Sequence, residues 1–164
     1  MDLSQLRTSH TVVISADPND LYAMVSDITR TGEWSPVNVG GQWDPGAGPR
    51  NGSWFTGRNQ VGGREWSTRS QVTAASPGQE FAFVVGGASD GWVRWGYTFE
   101  PTADGTAVTE SWEVLRIVPH MGQTDDELLD LRDRTQANLQ ATLQALKPIA
   151  EGDDPDPRQS SPAQ

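Results

Sequence analysis

Residues 124–150, TDDELLDLRDRTQANLQATLQALKPIA, decide the fold of this chain, and they predict one long helix. Thr124 is placed as its N-cap, and Glu127 completes a capping box three residues later. Acidic side chains crowd the first turn, where the helix dipole favours negative charge. One face then recurs at steps of three and four: Leu128, Leu131, Thr135, Leu139, Thr142, Leu146 and Ile149. At about 1.5 Å per residue the helix is roughly 40 Å long.

A helix of this length needs a broad partner for its apolar face, and the strand-like middle of the chain is the candidate. Thr135 and Thr142 occupy the middle of the stripe, where a packed core would favour Leu or Ile. Large residues at the ends and small polar ones midway would let the helix cap a sheet without filling the space between them. The alternative is two Thr tolerated on a partly exposed helix.

The chain before this helix predicts a strand, two short helices and a run of hairpins. Residues 10–16 are rich in β-branched side chains and predict a strand. Asp17 and Pro18 begin a helix whose buried face carries Leu21, Met24, Val25 and Ile28, and a helical turn follows at 31–34. Turn pairs such as Asn51-Gly52 then separate strands near 39–43, 53–60, 65–76, 80–85, 92–100 and 106–116. The order predicts an α+β fold with about seven antiparallel strands in a curved sheet around the last helix.

Composition narrows the function classes. At 164 residues, one domain over 1–150 is expected, followed by an acidic, Pro- and Ser-rich tail at 151–164 that is predicted to be disordered. The net charge of −10 repels phosphate backbones, so no nucleic-acid partner is expected. The absence of Cys and of paired-ligand spacing predicts no metal, and we expect no cofactor. No apolar run reaches the length of a signal peptide or membrane span, which predicts a cytoplasmic protein.

These features together resemble the START/polyketide-cyclase superfamily, whose helix-grip fold is shared with the birch-pollen allergens. The resemblance covers about residues 9–150, and its motifs are similar to those of the bacterial polyketide cyclase/dehydrase branch. They are the step from Val13 through Ser15-Ala16 to Pro18, Val25-Ser26-Asp27-Ile28 with Glu33-Trp34-Ser35-Pro36, Phe55-x-Gly57-x-Asn59, Trp66, Val72, Trp95-x-Tyr97-x-Phe99, and Gly105-Thr106-x-Val108-Thr109-Glu110-Ser111-Trp112. The resemblance implies an apolar cavity between sheet and long helix that holds a lipid, polyketide, steroid or similar molecule.

Glu110 is the candidate for chemistry in that cavity. Strand alternation places it on one face with Val108, Trp112 and Val114, which should be the concave face. Burial among apolar side chains would raise its pKa, and a carboxyl with a raised pKa suits general acid or base catalysis. The alternatives are an ion pair with an Arg on a neighbouring strand, or a local twist that turns Glu110 to solvent.

The other candidates are expected to bind the ligand. Asn59 could hydrogen-bond a ligand carbonyl or the Glu110 carboxylate, or it could end a strand. Trp34 could belong to the core or gate the cavity mouth. His120 lies in a loop near the family's cavity opening and is a bystander or, alternatively, an acid or base rather than a ligand-binding residue. His10 is set aside because it stands at the start of the first predicted strand. The expected cavity wall consists of aromatic rings with a few polar side chains: Trp66, Thr68, Trp95, Tyr97, Trp112, Thr135, Leu139 and Thr142.

Three functional hypotheses follow. In the first, the protein binds a small hydrophobic molecule as a carrier or sensor, acting as a monomer or homodimer. In the second, it is a cofactor-free cyclase, aromatase or dehydratase in which Glu110 moves protons. In the third, it regulates a partner protein that binds over the sheet. We favour binding, because the cyclases of the family tend to bring several polar groups into the cavity, whereas this sequence places one acid and one Asn there.

Overall fold

The computed structural model describes residues 1–152, which form an antiparallel sheet of seven strands and two α-helices. The strands are β1 (Arg7–Ile14), β2 (Asn38–Trp43), β3 (Trp54–Val61), β4 (Arg64–Ser76), β5 (Glu80–Val85), β6 (Val93–Thr102) and β7 (Gly105–Val114). Helix α1 (Pro18–Ser26) follows β1, and helix α2 (Asp125–Ala150) follows β7. The strand order is β1-β7-β6-β5-β4-β3-β2, so every neighbouring pair except β1 and β7 is a hairpin. The curved sheet and the long helix confirm the predicted α+β helix-grip fold.

Glycine permits the tight connections of the sheet. Gly62 adopts φ +60°, a left-handed conformation that glycine tolerates best, in the two-residue loop that joins β3 to β4. Gly105 begins β7 with φ +134°, and a Cβ there would collide with the backbone carbonyl of Ile14. The hairpins predicted at these positions are confirmed.

Helix α2 begins with the predicted capping box. The Thr124 hydroxyl accepts a hydrogen bond from the Glu127 backbone N–H at 3.2 Å, and the Glu127 carboxylate accepts one from the Thr124 backbone N–H at 3.1 Å. Beyond the helix end, the Glu151 carboxylate accepts bonds from Lys147 Nζ at 2.7 Å and from the Ser15 backbone N–H at 3.0 Å. The helix is thus fixed at its first turn and tied to the end of β1 at its last.

The buried apolar side chains form two clusters that meet different ends of α2. One cluster includes Leu143 and Leu146 of α2 together with residues of α1 and the sheet. The other includes Leu128 of α2 with side chains such as Trp112 of β7. Thr135, Leu139 and Thr142 lie between these ends, are buried, and belong to neither cluster. Side chains of the sheet therefore pack against both ends of α2 and leave a space beneath the middle of the helix.

The structure corrects several boundaries. Strand β1 begins at Arg7 rather than residue 10, because its residues pair with β7 from Arg7 opposite Glu113 to Ile14 opposite Thr106. His10 therefore lies within the strand and opposite Glu110, and setting it aside as a residue at the edge of the strand was wrong. The second predicted helix is a single 3-10 turn at Thr31–Glu33.

Most of the predicted tail, residues 153–164, lies outside the described residues, whereas Glu151 and Gly152 are described. No helix within residues 1–152 combines the length and apolar character needed to cross a bilayer.

Candidate ligand cavity

A cavity of about 670 Å³ lies between the sheet and α2. Its volume falls within the range of roughly 300–1,000 Å³ that is usual for small-molecule sites. All of the predicted site residues line it: Trp34, Asn59, Trp66, Thr68, Trp95, Tyr97, Glu110, Trp112, Thr135, Leu139 and Thr142. The structure thus brings these residues to one space, while their roles in binding or catalysis remain predictions.

The middle of α2 forms one side of the cavity. Thr135 and Thr142 are 6% and 5% exposed, which excludes the alternative of a partly exposed helix face. The Thr135 hydroxyl donates to the Leu131 carbonyl oxygen at 2.8 Å, a local bond that satisfies the hydroxyl within the helix. Short side chains here leave the cavity open, whereas Leu143 and Leu146 pack directly into the core.

Glu110 is a buried carboxyl on the cavity wall, with a side chain on the concave face as predicted. It is 5% exposed, and none of the ion pairs formed by residues 1–152 involves it. Both alternatives, a structural ion pair and a turn to solvent, are therefore wrong. Its Oε1 accepts a hydrogen bond from the Tyr97 hydroxyl at 3.0 Å, and its Oε2 has no hydrogen-bond partner among the described residues.

Burial controls the protonation of this pair. Loss of water around the carboxyl raises the pKa of Glu110 to about 8, and the Tyr97 hydrogen bond opposes this only in part. Burial also raises the pKa of the Tyr97 phenol well above its usual value, and the adjacent carboxyl adds to the effect. Both groups are therefore neutral at pH 7, so the cavity carries an uncharged carboxyl that holds a proton.

The register explains why no cation reaches Glu110. Its direct neighbours are Tyr97 on β6 and His10 on β1, so no Arg or Lys lies opposite it in the sheet. Two Arg side chains of the sheet pair elsewhere, since Arg69 binds Asp44 and Arg94 binds Glu80. Arg69 is exposed and lies outside the cavity lining.

Asn59 contacts a partner that the sequence did not indicate. Its Oδ1 accepts a hydrogen bond from Asn38 Nδ2 at 3.3 Å, across the pairing of β2 with β3. The predicted option of a bond from Asn59 to Glu110 is not formed. The two amides instead present a polar patch on the cavity wall beside Gly57, a position where a side chain would crowd the Asn38 amide.

The aromatic residues of the wall differ in their packing. Trp112 and Tyr97 are buried, whereas Trp66 and Trp95 are half-buried. The guanidinium of Arg64 lies 5.0 Å from the ring centre of Trp66. Trp34 is 3% exposed, joins a core cluster and also lines the cavity, while its role as a gate stays a prediction.

Exposed lining residues mark where the cavity opens to solvent. His120 and Arg134 are exposed yet line the cavity, and His120 meets the Trp92 ring edge-on with centroids 5.8 Å apart. Arg134 and Asn138 were missed as lining residues. Their spacing could have identified them. Residues 134 and 138 lie eight and four positions before the predicted lining residue Thr142, and residues four apart lie on the same face of a helix.

Comparison with known proteins shows the family. Residues 5–151 match the family described as polyketide cyclase / dehydrase and lipid transport. The chain belongs to this family. The resemblance to this family that the sequence motifs indicated is thereby confirmed. The description of the family, which names polyketides and lipid transport, agrees with the expectation that its members act on or bind small hydrophobic molecules. No curated protein sequence matches the chain.

Solved structures support the assignment at two levels. The Polyketide_cyc-like protein Cgl2372 from Corynebacterium glutamicum is 37% identical, with a TM-score of 0.58, over 92% of this chain and 97% of that one. The di-domain ARO/CYC StfQ from the steffimycin biosynthetic pathway is 18% identical, with a TM-score of 0.72 over 90% of this chain and 51% of that one. Protein CV1439 from Chromobacterium violaceum is 16% identical, with a TM-score of 0.66 over 92% and 99%. The last two likenesses concern the fold alone.

Proposed function

We propose that residues 1–150 act as one domain that binds a small, largely apolar molecule in the cavity, as a carrier or sensor. The observation that carries this proposal is the gap beneath the middle of α2, where Thr135, Leu139 and Thr142 border a cavity rather than a core cluster. Aromatic and aliphatic side chains dominate the lining, so the gain from burying apolar ligand surface drives binding. The proposal includes a cytoplasmic location and an oligomeric state of monomer or homodimer.

The size of the cavity sets a scale for affinity. Drug-sized ligands gain roughly 0.3 kcal/mol per non-hydrogen atom. A ligand of about 25 such atoms would therefore bind with about 7.5 kcal/mol, which corresponds to a dissociation constant of a few micromolar. This affinity suits reversible carriage or sensing of an abundant molecule.

A second candidate function is a cyclase or dehydratase, and Glu110 is the observation that favours it. A neutral carboxyl whose pKa is raised to about 8 can donate a proton at neutral pH, as a general acid does. StfQ, described as ARO/CYC, shares the fold. The proposal of binding ranks first because, beside Glu110, the lining offers amides and hydroxyls rather than a second buried acid or base.

Uptake of an apolar fluorophore by the native protein tests the proposed function. We expect saturable binding of one fluorophore per chain, competition by fatty acids or polycyclic aromatics, and a shift of tryptophan emission, because Trp66, Trp95 and Trp112 line the cavity. Fluorescence and calorimetry would measure it, with the urea-unfolded chain as control. Absence of saturable uptake across a broad apolar library would contradict the proposal.

A rate assay beside the same titration separates carrier from enzyme through Glu110→Gln, which keeps the shape and removes the ionisable group. A carrier should bind within a few-fold of wild type. An enzyme that uses Glu110 as general acid should lose on the order of 10²–10⁴ in rate while still binding.

A further inference from the structure

Glu110 presents an incomplete hydrogen-bond arrangement. The Tyr97 hydroxyl donates to Oε1, so Oε1 acts as an acceptor and the carboxyl proton belongs on Oε2. Oε2 is buried and has no partner among residues 1–152. Buried polar groups are nearly always hydrogen-bonded, and an exception in a native structure calls for an explanation.

The surroundings offer no acceptor to take this proton. Tyr97 on β6 is already engaged as a donor, and the side chain of His10 on β1, opposite Glu110 in the register, forms no hydrogen bond with the carboxyl. The charged or titratable groups that line the same cavity are Arg134 of α2 and His120 of the loop before it, and both are exposed. Glu113 on the same strand is exposed, and no acidic residue other than Glu110 lines the cavity within the described part of the chain. Glu110 lines the cavity, and its buried Oε2 is a donor that the described residues leave without an acceptor.

From this geometry we propose that Glu110 donates its Oε2 proton to an acceptor oxygen of the ligand, so that the cavity selects apolar molecules bearing a ketone, aldehyde or ester carbonyl. The inference rests on the proposed function and specifies its ligand class. The Tyr97 bond fixes the carboxyl in orientation, and the aromatic wall holds the carbon skeleton. A hydrocarbon of equal shape would leave the donor unsatisfied, which costs affinity.

Protonation gives the selection a pH dependence. Burial raises the pKa of Glu110 to about 8, so the donating form prevails at pH 7 and the ionised form above that value. An ionised carboxylate is an acceptor only and repels a carbonyl oxygen. Preference for the carbonyl ligand should therefore be constant below the pKa and decline above it.

Three probes with one carbon skeleton test the proposal: 2-ethylnaphthalene, 2-acetylnaphthalene and 1-(2-naphthyl)ethanol. For each protein variant we take the ratio of acetyl to ethyl affinity. Comparing this ratio between variants cancels the difference in water solubility between the two probes. In Glu110→Leu this ratio should fall by about tenfold relative to wild type, the usual worth of one hydrogen bond and an unpaired group. Glu110→Gln should restore it, because the amide nitrogen can donate while the amide oxygen accepts from Tyr97. Glu113→Leu, an exposed change on the same strand, should leave it at the wild-type value.

The pH profile completes the test. Between about pH 7 and about pH 9 the wild-type acetyl preference should decline, and the preference in Glu110→Gln should stay level. If all probes bind and the ratio of acetyl to ethyl affinity is equal in wild type and Glu110→Leu, this inference is overturned while the proposed function stands. A preference for the alcohol over the ketone already at about pH 6, below the raised pKa of Glu110, would also overturn it, because Glu110 would then act as an acceptor in its protonated form. If none of the probes binds the wild-type protein, both the proposed function and this inference are overturned.

Discussion

Leu143→Asp is expected to abolish the cooperative thermal unfolding transition. Leu143 is fully buried in the core cluster that joins the end of α2 to α1 and the sheet. Replacing a buried Leu by a smaller residue alone costs about 2–5 kcal/mol. An unpaired buried carboxylate adds several kcal/mol or forces protonation. The sum is comparable to the whole stability of an ordinary domain, about 5–15 kcal/mol.

The matched control is Ala141→Asp, which places the same charge on the exposed side of α2. It should lower stability by only about 0.7 kcal/mol, the helix-propensity difference. Circular dichroism melts and amide NMR spectra would compare the two variants. If Leu143→Asp unfolds with the same midpoint as Ala141→Asp, α2 does not pack against the sheet as described.

Filling the cavity from the helix side is expected to abolish most ligand uptake without destabilising the fold. The double variant Thr135→Leu with Thr142→Leu places two larger apolar side chains in the cavity that Thr135 and Thr142 line. Fluorophore affinity should fall at least tenfold, since a lost contact of about 1.4 kcal/mol already has that effect. The melting temperature should stay equal or rise, because Leu has the higher helix propensity and gains apolar contacts.

Gln140→Leu with Gln144→Leu provides the matched control. Both Gln are exposed on α2, so this variant adds the same two residues outside the cavity. It should bind the fluorophore as wild type does. Equal affinity of the two double variants would contradict the assignment of the cavity as the binding site.

Local signals made much of the fold predictable. The capping box at Thr124 and the acidic first turn placed the start of α2, and both depend only on residues a few positions apart. Strand alternation placed Glu110 on the concave face, because the period of two is a property of a single strand. The family motifs then indicated that the space between sheet and helix is a cavity.

Features that depend on pairing between distant segments could not be predicted. The start of β1 follows from its pairing with β7, about a hundred residues later, so the position of His10 opposite Glu110 was missed. The Asn38–Asn59 contact likewise depends on the register of β2 against β3, where a bulge interrupts the pairing. Alternation identifies the face of a side chain, but its hydrogen-bond partner depends on the neighbouring strand.

The central claim is that one apolar molecule occupies the space between the sheet and the middle of α2. Intermolecular nuclear Overhauser effects between bound 2-acetylnaphthalene and isotope-labelled protein test it most directly. The account predicts contacts from the naphthalene protons to the methyl groups of Thr135, Leu139 and Thr142, all of which line the cavity. Contacts confined to exposed apolar residues outside it, such as Val13, Leu115 and Ile117, would contradict it.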